Sequence, residues 1–259
     1  MDKKENNRLD LPESIYAFVE DVCRKQVQFK STALPPTMLI PCDSGNGRSH
    51  ITSIIANRYH DANICAFSSR DIFLDFTLKE TVFSVYEADA EIQANAEYAN
   101  DYAGVVAFNI DALISQLNNA AGCKFFELAA KVKKTAVLCI FLPADCSAKH
   151  IGMISEKIGA GSKIFPAIGY SKEELAGFFY KFIPKELKAH PMEEPFSSFL
   201  DISGFDKYRD RISAYIAHNI RDTTIKNIKR SAESLIFNDE AINEIFARPI
   251  KSREREVHL

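Results

Sequence analysis

The 259-residue sequence contains no tryptophan, no long apolar segment and no excess of either charge. Its 32 lysines and arginines nearly balance 35 acidic residues, for a net charge of −3, which argues against a basic surface for non-specific nucleic-acid binding. No apolar run reaches the roughly 18 residues that a membrane helix needs. No apolar segment follows the charged N-terminus, as it would in a signal peptide. We therefore predict a cytoplasmic protein that binds neither nucleic acid nor membrane.

Familiar catalytic and metal-binding motifs are also missing. The six cysteines include no CxxC pair and no cluster with histidine at zinc spacing. There is no G-x-S-x-G elbow and no HExxH motif. Several cysteines lie within apolar segments, so we expect them to be reduced and buried.

The pattern that is present is an alternation of short apolar runs with helical periodicity. It predicts strands at 37–40, 63–67, 104–108, 135–142 and 163–168. Between these strands it predicts helices that include 84–102 and 111–134, with a break near Gly122 as an alternative for the second. Strands that alternate with helices are typical of an α/β fold with a parallel sheet and helices on both faces. After residue 170 only helical periodicity remains, at 172–182, 205–217, 223–236 and 239–246. We therefore predict a flexible N-terminus at 1–10, an α/β core at 11–170 and a small all-helical domain at 171–259.

A glycine-rich segment lies between the first predicted strand and a helix. It consists of Ser44, Gly45, Asn46, Gly47, Arg48 and Ser49. Backbone N–H groups at such a helix start favour anions, and the phosphate loop G-x-x-x-x-G-K-[ST] has this context. Here Cys42 replaces the first glycine and Arg48 replaces the lysine. We predict that residues 44–49 bind the phosphates of ATP or ADP and that Ser49 contacts Mg²⁺; the alternative is an ordinary glycine turn.

The order of these elements resembles the AAA+ ATPases, loosely the CbbX/CfxQ and SpoVK group. Three further segments carry the resemblance: 104–113 is similar to the second acidic strand, 169–175 to the link into the helical lid, and 219–221 to the sensor 2 signature. The resemblance implies a five-stranded P-loop NTPase-type sheet followed by a helical lid. It also implies that Arg221 contacts nucleotide and that the partners are other proteins, either copies of this chain or an AAA+-like subunit.

The residues needed for hydrolysis depart from the family pattern. Phe108 and Asn109 stand where the Asp-Glu pair of the acidic strand is expected. Asp111 could serve as a magnesium carboxylate in a shifted alignment, but a helix N-cap is the simpler prediction. Asp145 lies late for a sensor 1 residue. Residues 156–163 hold no arginine finger, and Lys163 is more simply a solvated loop residue. Asp111 is the candidate catalytic residue, and no other is assigned.

The segment Phe73–Phe76 follows the second predicted strand. AAA+ modules place an aromatic pore loop at this position, so the resemblance predicts a client-contacting loop here. A packed hairpin or a short helix is the alternative prediction.

These observations favour a degenerate AAA+-type module, a pseudo-ATPase with a role in protein assembly or regulation. Two alternatives stay open. One is an active, atypical ATPase that uses Arg48, Ser49 and Asp111 to remodel a client protein. The other is a structural interaction module that binds no nucleotide.

Overall fold

A computed structural model describes residues 11–30, 33–64, 74–77, 90, 104–159, 161–184, 187 and 202–246. The chain divides into two compact units, one ending at Gly169 and the other beginning at Tyr170. The predicted flexible N-terminus, 1–10, lies outside the described residues. A helix predicted at 84–102 lies outside them too, apart from residue 90, which is helical.

The first unit is built around a parallel sheet. Its strands in chain order are β1 (Met38–Pro41), β2 (Leu74–Thr77), β3 (Val105–Asn109), β4 (Val137–Leu142) and β5 (Lys163–Ile164). They lie side by side in the order β2-β3-β4-β1-β5, and every pairing is parallel. The predicted α/β class with a parallel sheet is therefore confirmed.

The predicted fifth strand, a short one at 163–168, is reduced to two residues, so the sheet has four strands of ordinary length rather than five. Four of the described strands have four to six residues, whereas β5 has only two, both exposed. The sequence predicts that the last strand continues to residue 168. The N–H groups of Lys163 and Phe165 donate to the Thr37 and Leu39 carbonyls, but the next donor is Ile168 rather than residue 167. This extra residue breaks the regular ladder, and only an isolated bridge between Cys42 and Ile168 follows.

The second strand also differs from its prediction. Asn63, where that strand was expected to begin, has a positive φ of 57° in the turn that follows a helix. The strand that pairs with β3 is Leu74–Thr77 instead, with Leu74 opposite Val106. Residues 65–73 lie outside the described residues. Because Leu74–Phe76 form part of this strand, the predictions of a pore loop or a short helix at these residues are wrong. The packed hairpin stays a prediction, since the segments on either side of Leu74–Thr77 lie outside the described residues.

The helices of this unit come before and between the strands in sequence, and they pack against the sheet. They are α1 (Glu13–Phe29), α2 (Arg48–Asp61), α3 (Ala120–Val132) and α4 (Ala148–Ile158). One face of the sheet packs against α3 and α4, where the Phe108 and Phe125 rings meet edge to face at 5.9 Å. Strand residues that point the opposite way, such as Met38 and Cys139, are equally buried. Burial on both sides explains why these strands are continuously apolar in sequence.

The predicted helix over 111–134 is divided into two, close to the position near Gly122 where the alternative prediction places a break. A 3₁₀ helix covers Asp111–Gln116, and α3 begins only at Ala120. Gly122 permits this arrangement, because a Cβ at this position would lie 2.3 Å from the carbonyl oxygen of Leu117. The break therefore precedes Gly122 and lets the turn approach the helix closely.

The second unit is helical in its described part. It contains α5 (Lys172–Phe182), α6 (Ile202–Asn219), α7 (Ile225–Ser234), a short 3₁₀ turn (Leu235–Phe237) and α8 (Asp239–Phe246). Helix α5 starts at a capping box, in which Ser171 and Glu174 each accept from the other's backbone N–H. The shared core includes Phe179, Ile212 and Ile228. In the described part of the chain, no helix is both long and apolar enough to cross a membrane.

Candidate functional site

The glycine-rich segment forms a tight connection between β1 and α2. Cys42 extends the strand by donating its N–H to the Leu142 carbonyl at 2.8 Å. A turn follows, in which the Asn46 N–H donates to the Asp43 carbonyl at 3.1 Å, and α2 begins at Arg48. The predicted succession of buried strand, loop and helix is thus present.

Glycine is required at the helix start for its backbone conformation. Gly47 has φ of +86° and Gly45 has φ of +91°, both in the left-handed region that side chains disfavour. A Cβ at Gly47 would meet no atom within 4 Å. Glycine is therefore favoured at position 47 by the backbone conformation of the turn into α2, and not by a lack of space for a side chain.

Arg48 does not point into open space. Its Nε donates to the Cys42 carbonyl at 2.6 Å, and its two Nη atoms form a bidentate pair with Asp111 at 2.6 and 2.8 Å. Longer contacts run from Nη1 to Oδ1 of Asn109 at 3.4 Å and from Nη2 to the Leu142 carbonyl at 3.3 Å. A guanidinium has five N–H donors, and here five contacts to protein acceptors engage them.

These five residues, Arg48 with Cys42, Asn109, Asp111 and Leu142, are called the Arg48 network below. The Arg48 side chain is only 7% exposed, and its guanidinium carbon lies 5.8 Å from the centre of the Phe141 ring. The network connects the carboxyl ends of β1, β3 and β4, which lie at one edge because the sheet is parallel. Ligands of open parallel sheets bind at this edge, so Arg48 occupies the region where a ligand is expected.

Asp111 has a role that the sequence did not indicate. It is the first residue of the 3₁₀ helix, whose N-cap is Ile110, and no side chain caps that helix. The prediction that Asp111 is an N-cap is therefore wrong. Its carboxylate, 38% exposed, accepts from Arg48 through both oxygens.

This arrangement does not suit a magnesium ion. A dication on the Asp111 carboxylate would lie beside the Arg48 guanidinium and be repelled by it. Among the residues that the structure describes, no three His, Cys, Asp or Glu side chains come together as a metal site. Ser49, the predicted magnesium ligand, is exposed at the start of α2.

The carboxyl end of β3 offers no acid–base pair. Phe108 is fully buried in the core, and Asn109 is buried and accepts from Arg48. An amide cannot take a proton from water, so neither residue replaces the expected carboxylates. Asp145 is exposed beyond the end of β4, and Lys163 is exposed on β5.

The remaining predicted site residues are distributed over both units. Ser44 is exposed, Gly45 is partly buried and Asn46 is buried within the loop. Arg221 belongs to the helical unit, where its side chain is exposed. The structure thus brings Arg48 and Asp111 into contact, while nucleotide contacts by residues 44–49 and Arg221 stay predictions.

Asp43 is a further participant that the sequence did not reveal. Its Oδ1 accepts the backbone N–H of Ala144 at 2.8 Å, which joins the loop to the segment after β4. The neighbouring Cys42 is buried, and burial raises the pKa of its thiol to about 11. Cys42 is therefore a protonated, unreactive thiol at neutral pH.

One signal in the sequence could have indicated the ion pair. An arginine is rarely buried without a paired carboxylate, and Arg48 begins a helix with Ile51, Ile54 and Ile55 on its buried side. Asp111 comes three residues after the end of the predicted third strand, 104–108, at the same edge of the sheet.

No protein-family model matches the chain, and no curated protein matches it either. The AAA+ resemblance therefore stays a prediction.

Proposed function

We propose that this chain is a degenerate AAA+-type module, a pseudo-ATPase that acts in protein assembly or regulation. The observation that carries the proposal is the Arg48 network. Arg48 stands at the position of the phosphate-loop lysine, yet its donors are directed to Cys42, Asn109, Asp111 and Leu142. The residue that would bind phosphate instead holds strand ends together.

Phosphate binding by Arg48 would require the guanidinium to leave its partners. The bidentate pair with Asp111 is a charge-assisted contact with short distances, and the side chain is almost fully buried. The arginine guanidinium is planar and bulkier than the lysine ammonium, whose donors can rotate from one partner to another. Arg48 therefore cannot keep its contacts within the network and bind a phosphate at the same time. Any nucleotide that binds would be held by the loop's backbone N–H groups rather than by Arg48.

The end of β3 supports the second half of the proposal, the absence of efficient hydrolysis. ATP hydrolysis requires a metal carboxylate and a group that orients the attacking water. At this position the chain has the buried Phe108 and the amide Asn109, and the next acid, Asp111, is paired with Arg48. We infer that the fold is retained for its surfaces rather than for turnover.

Nucleotide titration and a turnover assay test this part of the proposal. The wild type, Arg48→Lys and Arg48→Ala would be titrated with ATP and ADP, with and without Mg²⁺, and assayed for phosphate release. We expect turnover at background in all three proteins. Wild-type turnover on the order of 1 s⁻¹ that Arg48→Ala abolishes would overturn the proposal and favour the active remodelling ATPase.

The assembly role is tested by the association state. Phe237 is 90% exposed and Ile236 beside it is 42% exposed, so the helical unit presents apolar surface. We expect self-association, or co-purification with an AAA+-like subunit, in light scattering and pull-down at micromolar concentration. A strictly monomeric protein with no partner would reject assembly and favour a structural interaction module instead.

A further inference from the structure

A polar cavity lies within the helical unit, away from the glycine-rich segment in sequence. Its volume is about 280 Å³, and it is bounded by residues 219–222 and by one side of α7. The cavity-lining residues of α7 are Asn227, Arg230, Ser231 and Ser234. Because they are spaced by three and four positions, they share one face of the helix.

The opposite face of α7 explains why this polar face is held in place. Ile228 and Ala232 are completely buried in the core of the helical unit, and Leu235 follows them at the helix end. An amphipathic helix anchored in this way fixes the direction of its polar side chains. The cavity is open to solvent, and the helix that forms one of its walls is packed into the core of the unit.

Two arginines, Arg221 and Arg230, are among the residues that line this cavity. Neither Arg221 nor Arg230 forms a hydrogen bond or an ion pair with any residue that the structure describes. The only acid in the lining, Asp222, accepts from the Asn227 side-chain amide at 2.8 Å and from the Thr224 N–H at 3.3 Å. Both of its oxygens are thus engaged within the chain, and neither is paired with an arginine.

We propose that this cavity binds an oxyanion of the phosphate class between Arg221 and Arg230. The planar guanidinium fork matches the oxygens of a phosphate, and two such forks can hold one group from two directions. The lining carries two positive groups and one negative group, which leaves a net positive charge for an anion. The Ser231 hydroxyl on the same wall adds a neutral donor.

This site goes beyond the proposed function. The AAA+ resemblance assigns Arg221 to a nucleotide held by residues 44–49, whereas the cavity requires no contribution from that loop. Arg230 has no role in the resemblance. The two ideas can therefore fail separately.

Titration of the full chain with inorganic phosphate tests the site. Amide and arginine Nε–H resonances of residues 219–234 would be followed by NMR at constant ionic strength, so that screening by salt is not mistaken for binding. We expect saturable shifts with a dissociation constant on the order of 1 mM. Arg221→Ala and Arg230→Ala should each weaken binding by about tenfold, because each removes charge-assisted hydrogen bonds.

Lys226→Ala is the matched control. Lys226 is an exposed cation on α7 that does not line the cavity, so its removal changes the net charge equally but should leave the affinity within about twofold. A second arm uses ATP in the wild type and in Gly47→Val. Equal phosphate affinity in Lys226→Ala and Arg230→Ala would overturn the proposal. Shifts that occur only with ATP and vanish in Gly47→Val would also overturn it, since Arg221 would then serve a nucleotide bound at the loop.

Discussion

The contact between Arg48 and Asp111 should stabilise the sheet unit, and a double-mutant cycle should measure its contribution as a coupling energy. Hydrogen bonds to charged groups contribute about 1.5–3 kcal/mol each. Arg48 is 7% exposed but Asp111 is 38% exposed, so water can replace part of what the carboxylate loses. We therefore expect a coupling of about 1–2 kcal/mol between Arg48→Ala and Asp111→Ala, above the range of about 0.2–1 kcal/mol for exposed pairs.

The two single variants should differ in a way that the burial of each partner explains. Asp111→Ala leaves a buried guanidinium without its carboxylate, and we expect a loss of about 2–3 kcal/mol. Arg48→Ala also removes the contacts to Cys42 and Leu142 and should cost at least as much. Asp21, whose partners Arg24 and Lys25 lie on the surface of α1, provides the control; Asp21→Ala should change stability far less.

Native-state hydrogen exchange is the suitable measurement, because it reports the sheet unit separately from the helical unit. The Cys42 N–H, bound to the Leu142 carbonyl, joins two residues of the network, and the Ile110 N–H, bound to the Phe141 carbonyl, directly precedes Asp111. Their exchange would be measured in the wild type, both single variants and the double variant. A coupling below about 0.3 kcal/mol would refute the reasoning, since the pair would then behave as a solvated surface contact.

Three further predictions concern other positions. Gly47→Val should lower the free energy of unfolding by about 1–2 kcal/mol. The cause is the φ of +86° at this position, since a Cβ would meet no atom within 4 Å. Urea unfolding checks this, with Gly47→Asn as a milder control. Ser171→Ala should cost the helical unit about 1 kcal/mol through loss of the capping box, measured by thermal unfolding, and an unchanged midpoint would contradict it. Burial raises the pKa of the Cys42 thiol from 9.0 to about 11. The folded state therefore holds that proton more tightly, so the associated stability is fully present below pH 9 and is lost as the pH rises towards 11; urea midpoints of wild type and Cys42→Ala between pH 8 and 11 check the sign.

Local signals predicted much of the sheet unit correctly. The apolar runs of β1, β3 and β4 are long enough, and bounded clearly enough, to indicate buried strands. Gly47 and the isoleucines after it indicate the start of α2 at Arg48. These features depend on residues close together in sequence, which is where periodicity and turn chemistry are informative.

The features that were missed depend on distant residues. Arg48 contacts Asp111 across 63 positions of sequence, and the two residues come together through a strand order in which β4 lies between β1 and β3. The segment that pairs with β3 is Leu74–Thr77. The apolar run at 63–67 is a local signal and does not indicate which segment of the chain pairs with β3. Pairing partners within a sheet are a tertiary property, and they override local propensity.

The strand order has a consequence for synthesis of the chain on the ribosome. β1 lies between β4 and β5 in the sheet, and Met38 pairs with Cys139. Met38 therefore cannot pair until Cys139 has been synthesised. At about 5–20 residues per second, the intervening hundred or so residues take about 5–20 s to be made. During that interval a fully apolar strand has no sheet to join. The nascent chain is therefore expected to bind a chaperone at residues 38–41, and to release it once β4 has emerged.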